Sequence, residues 1–144
     1  MIAGLFHNGA LPVLDRLAQF TEARQSILAH NIANLSTPHF RPTDLDTEAF
    51  QGELGRALDR RRARDLPRDD ALRLRSTREI TFRRDRLDAH PSPTDEQVMF
   101  HDRNNRDLER IMQDVAENQL THAAAVRLLK NQFDMLEHAI REQP

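Results

Sequence analysis

Two stretches of the chain place apolar residues at alternating steps of three and four, the spacing of a helix that packs along another helix. The longer stretch, residues 105–140, contains no Gly or Pro and predicts one helix of roughly 54 Å. Eight of its ten stripe positions are apolar: Leu108, Met112, Val115, Gln119, His122, Val126, Leu129, Phe133, Leu136 and Ile140. A chain of 144 residues needs no helix of that length for a compact domain, so we expect it to project and to require partners.

The second stretch, residues 11–35, predicts another long helix, with Pro12 in its first turn and a stop before Pro38. Its stripe consists of Leu11, Leu14, Ala18, Thr21, Gln25, Leu28, Ile32 and Leu35. Both stripes are apolar at their ends and polar in the middle. If the helices pair antiparallel, Gln25 lies near His122, and this polar layer fixes the register. Solvent or another subunit facing these positions is an equal alternative.

The region between the two helices, residues 41–103, is Pro- and Arg-rich and has a different pattern. It predicts a modest helix over roughly 46–64, interrupted by two Gly residues. Residues 72–75 and 80–83 alternate with the two-residue period of strands, which indicates a small hairpin. Residues 94–97 resemble a capping box, so a short helical turn is expected there.

The composition supports a mainly α protein without a large compact core. Hydrophobic residues make up 38% of the chain and charged residues 31%, with seven Phe, no Trp and no Tyr. We predict long N- and C-terminal helices that pair as an antiparallel coiled coil, with a small irregular or β middle segment. The expected divisions are residues 1–40, 41–103 and 104–144.

Charge gives weak support to nucleic-acid binding. Twelve Arg and six acidic residues lie between positions 56 and 86, yet the net charge of the whole chain is only −2. The acidic residues are interleaved with the Arg residues and no aromatic array accompanies them. A solvated or protein-facing surface is therefore favoured over a phosphate-binding one.

No pattern of catalytic or cofactor-binding residues is found. The seven His are scattered without metal-ligand spacing, and there is no Cys. Asp44, Asp46 and Glu48 alternate like a calcium loop, but Ala49 stands where that loop needs Gly. We predict no enzyme, no metal and no cofactor. The N-terminus lacks the features of a cleaved signal peptide, and no membrane span is expected.

Residues 29–40 read AHNIANLSTPHF, which resembles the N-terminal signature of flagellar rod and hook proteins: Ala-x-Asn-Ile-Ala-Asn, two variable residues, Thr-Pro-Gly-Tyr. Residues 104–109 (NNRDLE), 116–120 (AENQL) and 127–129 (RLL) with Phe133 are similar to the C-terminal helix of the proximal rod protein, the FlgB family. The chain departs from the family at His39 and Phe40, where Gly and Tyr are usual, and at Arg103 and Arg106.

The resemblance implies a structural subunit of the flagellar basal body, exported unfolded by the type III apparatus without a cleaved signal. Its partners would be copies of itself, other rod proteins, the export gate and a basal-body adaptor, in the rod on the periplasmic side of the inner membrane. No nucleic acid is expected. The alternatives are an Arg-rich helical nucleic-acid-binding protein and a small export chaperone for axial proteins.

The predicted assembly interface combines the stripe of the C-terminal helix with the turn after the N-terminal helix. Two Asn amides on one face, a Pro and an aromatic residue are more than a helix stop requires. The turn residues assigned to the interface are Asn31, Ile32, Asn34, Thr37, Pro38 and Phe40. An alternative is that both Asn side chains cap their own helix.

Overall fold

The computed structural model describes residues 10–63, 72–93 and 108–141. In these ranges it contains three helices and four short strands, in the order α1 (Leu11–Ala33), β1 (Thr43–Asp44), α2 (Thr47–Ala63), β2 (Ile80–Phe82), β3 (Leu87–Ala89), β4 (Ser92–Pro93) and α3 (Leu108–Arg141). The predicted fold class is confirmed: two long terminal helices pack together, with a short helix and small antiparallel strands between them. The predicted turn at 94–97 lies outside the described residues.

The two long helices run antiparallel. The start of α1, at Leu11, lies beside Leu129 and Phe133 of α3, and its later part, at Leu28, lies beside Ile111. α3 has 34 residues and α1 has 23, so their lengths are roughly 51 and 35 Å. Pro12 occupies the first turn of α1, where its missing N–H costs no hydrogen bond.

A small aromatic core attaches the middle of the chain to a second face of α1. Phe20 stacks on Phe50 of α2, with ring centroids 4.0 Å apart, and Phe82 of β2 packs on Phe50 from 6.3 Å. Leu45 and Ile80 complete the buried cluster. α1 is therefore covered by α3 on one face and by the middle segment on another.

The helix α2 runs through Gly52 and Gly55 without a break, contrary to the expected interruption. Its N-cap is Asp46, whose carboxylate accepts the backbone N–H of Ala49 at 2.8 Å. Its last turn carries three Arg residues, which the helix dipole favours at a C-terminus. Capping and charge at the two ends outweigh the helix-breaking tendency of the Gly residues.

The predicted hairpin partner is wrong. β2 pairs antiparallel with β3, with Thr81 opposite Asp88, while residues 72–75 form no strand. That stretch is tied to α2 instead, because the backbone N–H of Arg75 donates to buried Glu53 at 3.0 Å and the carbonyl of Arg73 accepts from Arg60. The alternation over residues 72–75 indicates that one side of this segment, with its two Leu residues, is half-buried. It does not indicate which element covers that side. A second antiparallel pair joins β1 to β4.

Candidate functional site

The interface between α1 and α3 contains a polar layer midway along its length. Both N–H groups of the Asn118 side-chain amide are used: one donates to the backbone carbonyl of Thr21 at 2.8 Å and one to Gln25 Oε1 at 2.9 Å. One turn further along α3, His122 Nδ1 lies 2.8 Å from Thr21 Oγ1. The expected polar layer is present, but Gln25 meets Asn118 and not His122, so the predicted register was displaced by about one turn.

The buried face of α3 differs from the predicted stripe. The fully buried residues of this helix are Ile111, Asn118 and Ala125, seven residues apart. Val115 and His122 lie between them, Leu129 and Leu136 continue the same spacing beyond Ala125, and all four are half-buried, as a helical seam requires. Two heptad patterns therefore run along α3, sharing these four positions, and the one that faces α1 is the less apolar of the two. Counting apolar residues favoured the other pattern.

The remaining predicted positions on α3 lie on the protein surface. Gln119 is exposed. Five apolar side chains are 44–66% exposed, and we call them the exposed stripe: Leu108, Met112, Val126, Phe133 and Ile140. All five are large and follow one flank of the helix, with the exposed polar side chain of Gln119 between Met112 and Val126.

Charged groups join α1, β1 and α3 near the end of α1. Arg24 donates to both carboxylate oxygens of Asp44, from Nη2 at 2.7 Å and from Nε at 2.9 Å, and Asp114 of α3 lies 3.7 Å from its guanidinium. The bond to Asp44 raises the pKa of Arg24. Burial raises the pKa of Asp114, and the attraction of Arg24 only partly offsets this. The cluster therefore anchors the strand β1 on the helix pair.

The turn after α1 is held by internal hydrogen bonds. Asn31 is buried, and its amide donates to the carbonyl of Thr43 at 2.7 Å and accepts the N–H of Thr43 at 3.1 Å, as a neighbouring strand would. Asn34 forms the C-cap and its side chain donates to the carbonyl of His30 at 2.9 Å. Both side-chain amides are therefore hydrogen-bonded within the chain. For Asn34, this agrees with the alternative that the side chain caps its own helix.

The rest of that turn is more accessible. Ile32, Thr37 and Pro38 are exposed, while Phe40 is half-buried with its ring 5.7 Å from the ring of His30. His39 adopts a φ of +61°. This is the left-handed region, which Gly adopts readily and which a residue with a Cβ disfavours.

Much of the Arg-rich region pairs with carboxylates of the same chain. Arg56 and Arg60 contact buried Glu53, at 3.1 and 2.6 Å, and Arg83 and Arg86 contact Asp88. Burial opposes ionisation of Glu53, but its bonds to the Arg75 N–H, Arg60 and Arg56 together lower its pKa. This use of the guanidinium groups gives no support to a phosphate-binding surface.

Among the described residues, no group of three or more acidic or His side chains is placed to hold a metal ion. Asp44 and Asp46 are used in the Arg24 pair and in the N-cap of α2.

None of the described helices combines the length and the apolarity that a bilayer span requires.

The chain matches no model of a protein family. It is 29% identical over 136 residues to the flagellar basal body rod protein FlgB of Borrelia hermsii, an alignment that covers 92% of this chain and 96% of the relative. The resemblance to the FlgB family is confirmed. Since the alignment covers nearly all of both proteins, it includes the middle segment, where the sequence by itself suggested no relationship.

The relative is named a rod protein, and the described part of this chain contains two long paired helices with exposed apolar side chains along one flank of the second. The residues that sequence reasoning missed are Ile111, Asn118 and Ala125. The available signal was the match in polarity between Asn118 and Gln25 on facing helices.

Proposed function

We propose that this chain is a structural, non-enzymatic subunit of the proximal rod of the bacterial flagellar basal body. It polymerises through its terminal helices into the hollow shaft that transmits torque, and it is required for flagellum assembly and motility. The observation that carries the proposal is the exposed stripe on α3, in a chain that is similar to FlgB over nearly its whole length.

The exposed stripe supports assembly because a single subunit leaves it in water. Val126 is 44% exposed and Ile140 66%, on a helix whose neighbouring flank already packs on α1. Covering apolar surface contributes about 25 cal/mol per Å², so five large side chains along one flank favour association with a neighbouring chain. Heterologous contacts that do not close into a ring build helical tubes.

In the proposed assembly, residues 1–40 and 104–144 form the inner layer of paired helices, and residues 41–103 face outward. The partners are other copies of this chain, other rod proteins, the export gate and the basal-body adaptor. The site of assembly is the rod, on the periplasmic side of the inner membrane.

Of the predicted interface residues, those on the exposed stripe are the strongest candidates for contacts between subunits. Ile32, Thr37 and Pro38 at the exposed turn are the next. Asn31 is the weakest, because its amide is bonded to Thr43 inside the subunit.

The test replaces apolar residues of the exposed stripe with Asp in a flagellated host that depends on this chain. Val126→Asp and Ile140→Asp, at two stripe positions that lie outside the pockets beside Leu11 and Leu28, should each abolish rod formation and swimming at normal protein level, because a neighbouring chain can no longer cover the stripe. Gln113→Asp adds the same charge to an exposed polar position of α3 and should swim normally.

Rods are isolated and probed for the subunit, and swimming is measured on soft agar. Normal swimming of both stripe variants would contradict the proposal. An export chaperone would be absent from isolated rods while still being needed for secretion of another axial protein, and that result would favour the alternative.

A further inference from the structure

Two oppositely charged surfaces lie at the two ends of the helix pair. The first, the basic groove, is an open space of about 650 Å³ beside Leu11 of α1 and Leu129 of α3. The second, the acidic end, is a polar cleft of about 440 Å³ beside Leu28 of α1 and Ile111 of α3. Leu11 and Leu28 are separated by roughly 26 Å along the helix axis.

The basic groove has an apolar floor and a cationic rim. Leu72, Leu74 and Phe82 form part of the floor, and Arg83 and Arg84 lie on the rim. Among the described residues, four Arg line the groove against one Asp. Arg84 is exposed, so its charge is available at the surface.

The acidic end has the reverse balance. In the part of the chain that the structure describes, five carboxylates line it against two Arg, and Asp46 and Glu48 at the start of α2 are exposed. Exposed apolar side chains lie at the same end of the helix pair, because Leu108 and Met112 flank Ile111 and Ile32 follows Asn31. This end therefore presents both charges and apolar anchors that match the groove.

We propose that the acidic end of one subunit docks in the basic groove of a second copy, with Glu48 facing Arg84. The proposal rests on the proposed function and identifies one of its contacts. Since the two surfaces differ and lie at opposite ends, each subunit offers one of each. The contact therefore repeats head to tail, so that each docked subunit leaves one free surface for the next. Opposite charges select this pairing over groove-to-groove contact.

The test is a charge exchange in the purified full-length chain, with self-association measured by sedimentation over a concentration series. Arg84→Glu and Glu48→Arg should each weaken association about five- to tenfold, because each places like charges across the contact. The double variant restores opposite charges at every contact and should return to within about twofold of the original chain. Added salt should weaken association of the original chain and of the double variant.

The matched controls are Arg78→Glu, Glu22→Arg and their combination. Both residues are exposed and line neither surface, so these variants should associate like the original chain. Circular dichroism at equal concentration establishes that each variant remains helical. A double variant no better than the single ones, or a chain that remains monomeric throughout, overturns the proposal.

A crosslinking experiment tests the geometry directly, since the chain has no Cys of its own. Arg84→Cys and Glu48→Cys in one chain, treated with a short bismaleimide, should give a ladder of covalent dimers, trimers and longer species. Each single variant alone should stop at dimers. A ladder absent from the double variant, or one equal to that of an Arg78→Cys and Glu22→Cys pair, overturns the head-to-tail contact.

The outcomes separate this inference from the function on which it rests. If the stripe variants abolish rods while the charge exchange has no effect, the subunit is a rod protein that uses another contact. If the charge exchange succeeds while the stripe variants swim normally, the head-to-tail contact stands and the rod assignment fails. Occupation of the groove by the chain's own N-terminal segment would give intramolecular crosslinks from Arg84→Cys to a Cys introduced there, and would overturn docking of a second copy.

Discussion

At the scale of single residues, His39 adopts a backbone conformation that Gly would adopt more readily. The turn after α1 needs a positive φ, and His39 supplies it at +61°. Hydrogen bonds fix the chain on both sides, from the Thr37 N–H to the Asn34 carbonyl at 2.9 Å and from the Phe40 N–H to the Thr37 carbonyl at 3.3 Å. The turn therefore imposes the conformation on a residue whose Cβ opposes it.

Replacing His39 with Gly should stabilise the protein. A left-handed conformation costs an L-residue about 1–2 kcal/mol, and Gly avoids this cost. About half of that gain is lost again, because Gly has more conformational freedom to lose on folding. We expect His39→Gly to raise the free energy of unfolding by about 0.5–1 kcal/mol, measured by urea denaturation. His39→Ala keeps the Cβ and should give no gain. Equal gains in both variants would show that the side chain, and not the backbone, is responsible.

At the scale of elements, the helix pair is specified by its polar layer as much as by its apolar seam. Asn118 has two partners on α1, whereas Gln119, at a position of the more apolar pattern, is exposed. A buried amide that finds both partners in only one alignment favours that alignment over slipped ones. The less apolar of the two heptad patterns on α3 is therefore the one that fixes the alignment of α3 with α1.

Alanine substitutions at these neighbouring positions should discriminate between the two heptad patterns. Asn118→Ala removes two hydrogen bonds and leaves the Gln25 carbonyl oxygen unpaired near the seam. It should lower the free energy of unfolding by about 1–2 kcal/mol. Gln119→Ala should change it by less than about 0.5 kcal/mol, as expected for a surface residue. Thermal and urea denaturation of both variants measure this, and a larger loss at Gln119 would favour the sequence-predicted register.

At the scale of the whole molecule, the two long helices are buried to different extents. α1 lies between α3 and the aromatic core of Phe20 and Phe50, and three further α1 residues pack against that core. α3 is buried along one narrow face, and eight of its large apolar side chains are more than 40% exposed. Local stability follows burial, so the two helices should differ in how readily they open.

Hydrogen exchange should show this difference and its dependence on assembly. In the monomer, we expect amides of Leu17–Leu28 in α1 to exchange slowest, and amides of α3 beyond Val126 to exchange at least about tenfold faster. In assembled rods the α3 amides should become as protected as those of α1, because neighbours cover the exposed stripe. Mass spectrometry of peptides from both states measures this. Strong protection of all of α3 in a proven monomer would mean that the subunit needs no neighbour for stability.

The sequence by itself determined the existence, approximate length and type of both long helices. Apolar residues at alternating steps of three and four, with no Gly or Pro beyond the first turn, are compatible with few structures other than a helix. Polar residues midway along each stripe predicted a polar layer between the helices. Such a layer can form in either orientation and does not decide which residues meet: Gln25 contacts Asn118 and not the predicted His122. Tertiary structure decided which flank of α3 faces α1, since Ile111, Asn118 and Ala125 form a seam only when Thr21 and Gln25 are opposite. It likewise decided that β2 pairs with β3, because Glu53 holds the Arg75 backbone and removes residues 72–75 from the sheet. Periodicity reports that one side of a segment is covered. What covers it depends on partners distant in the chain.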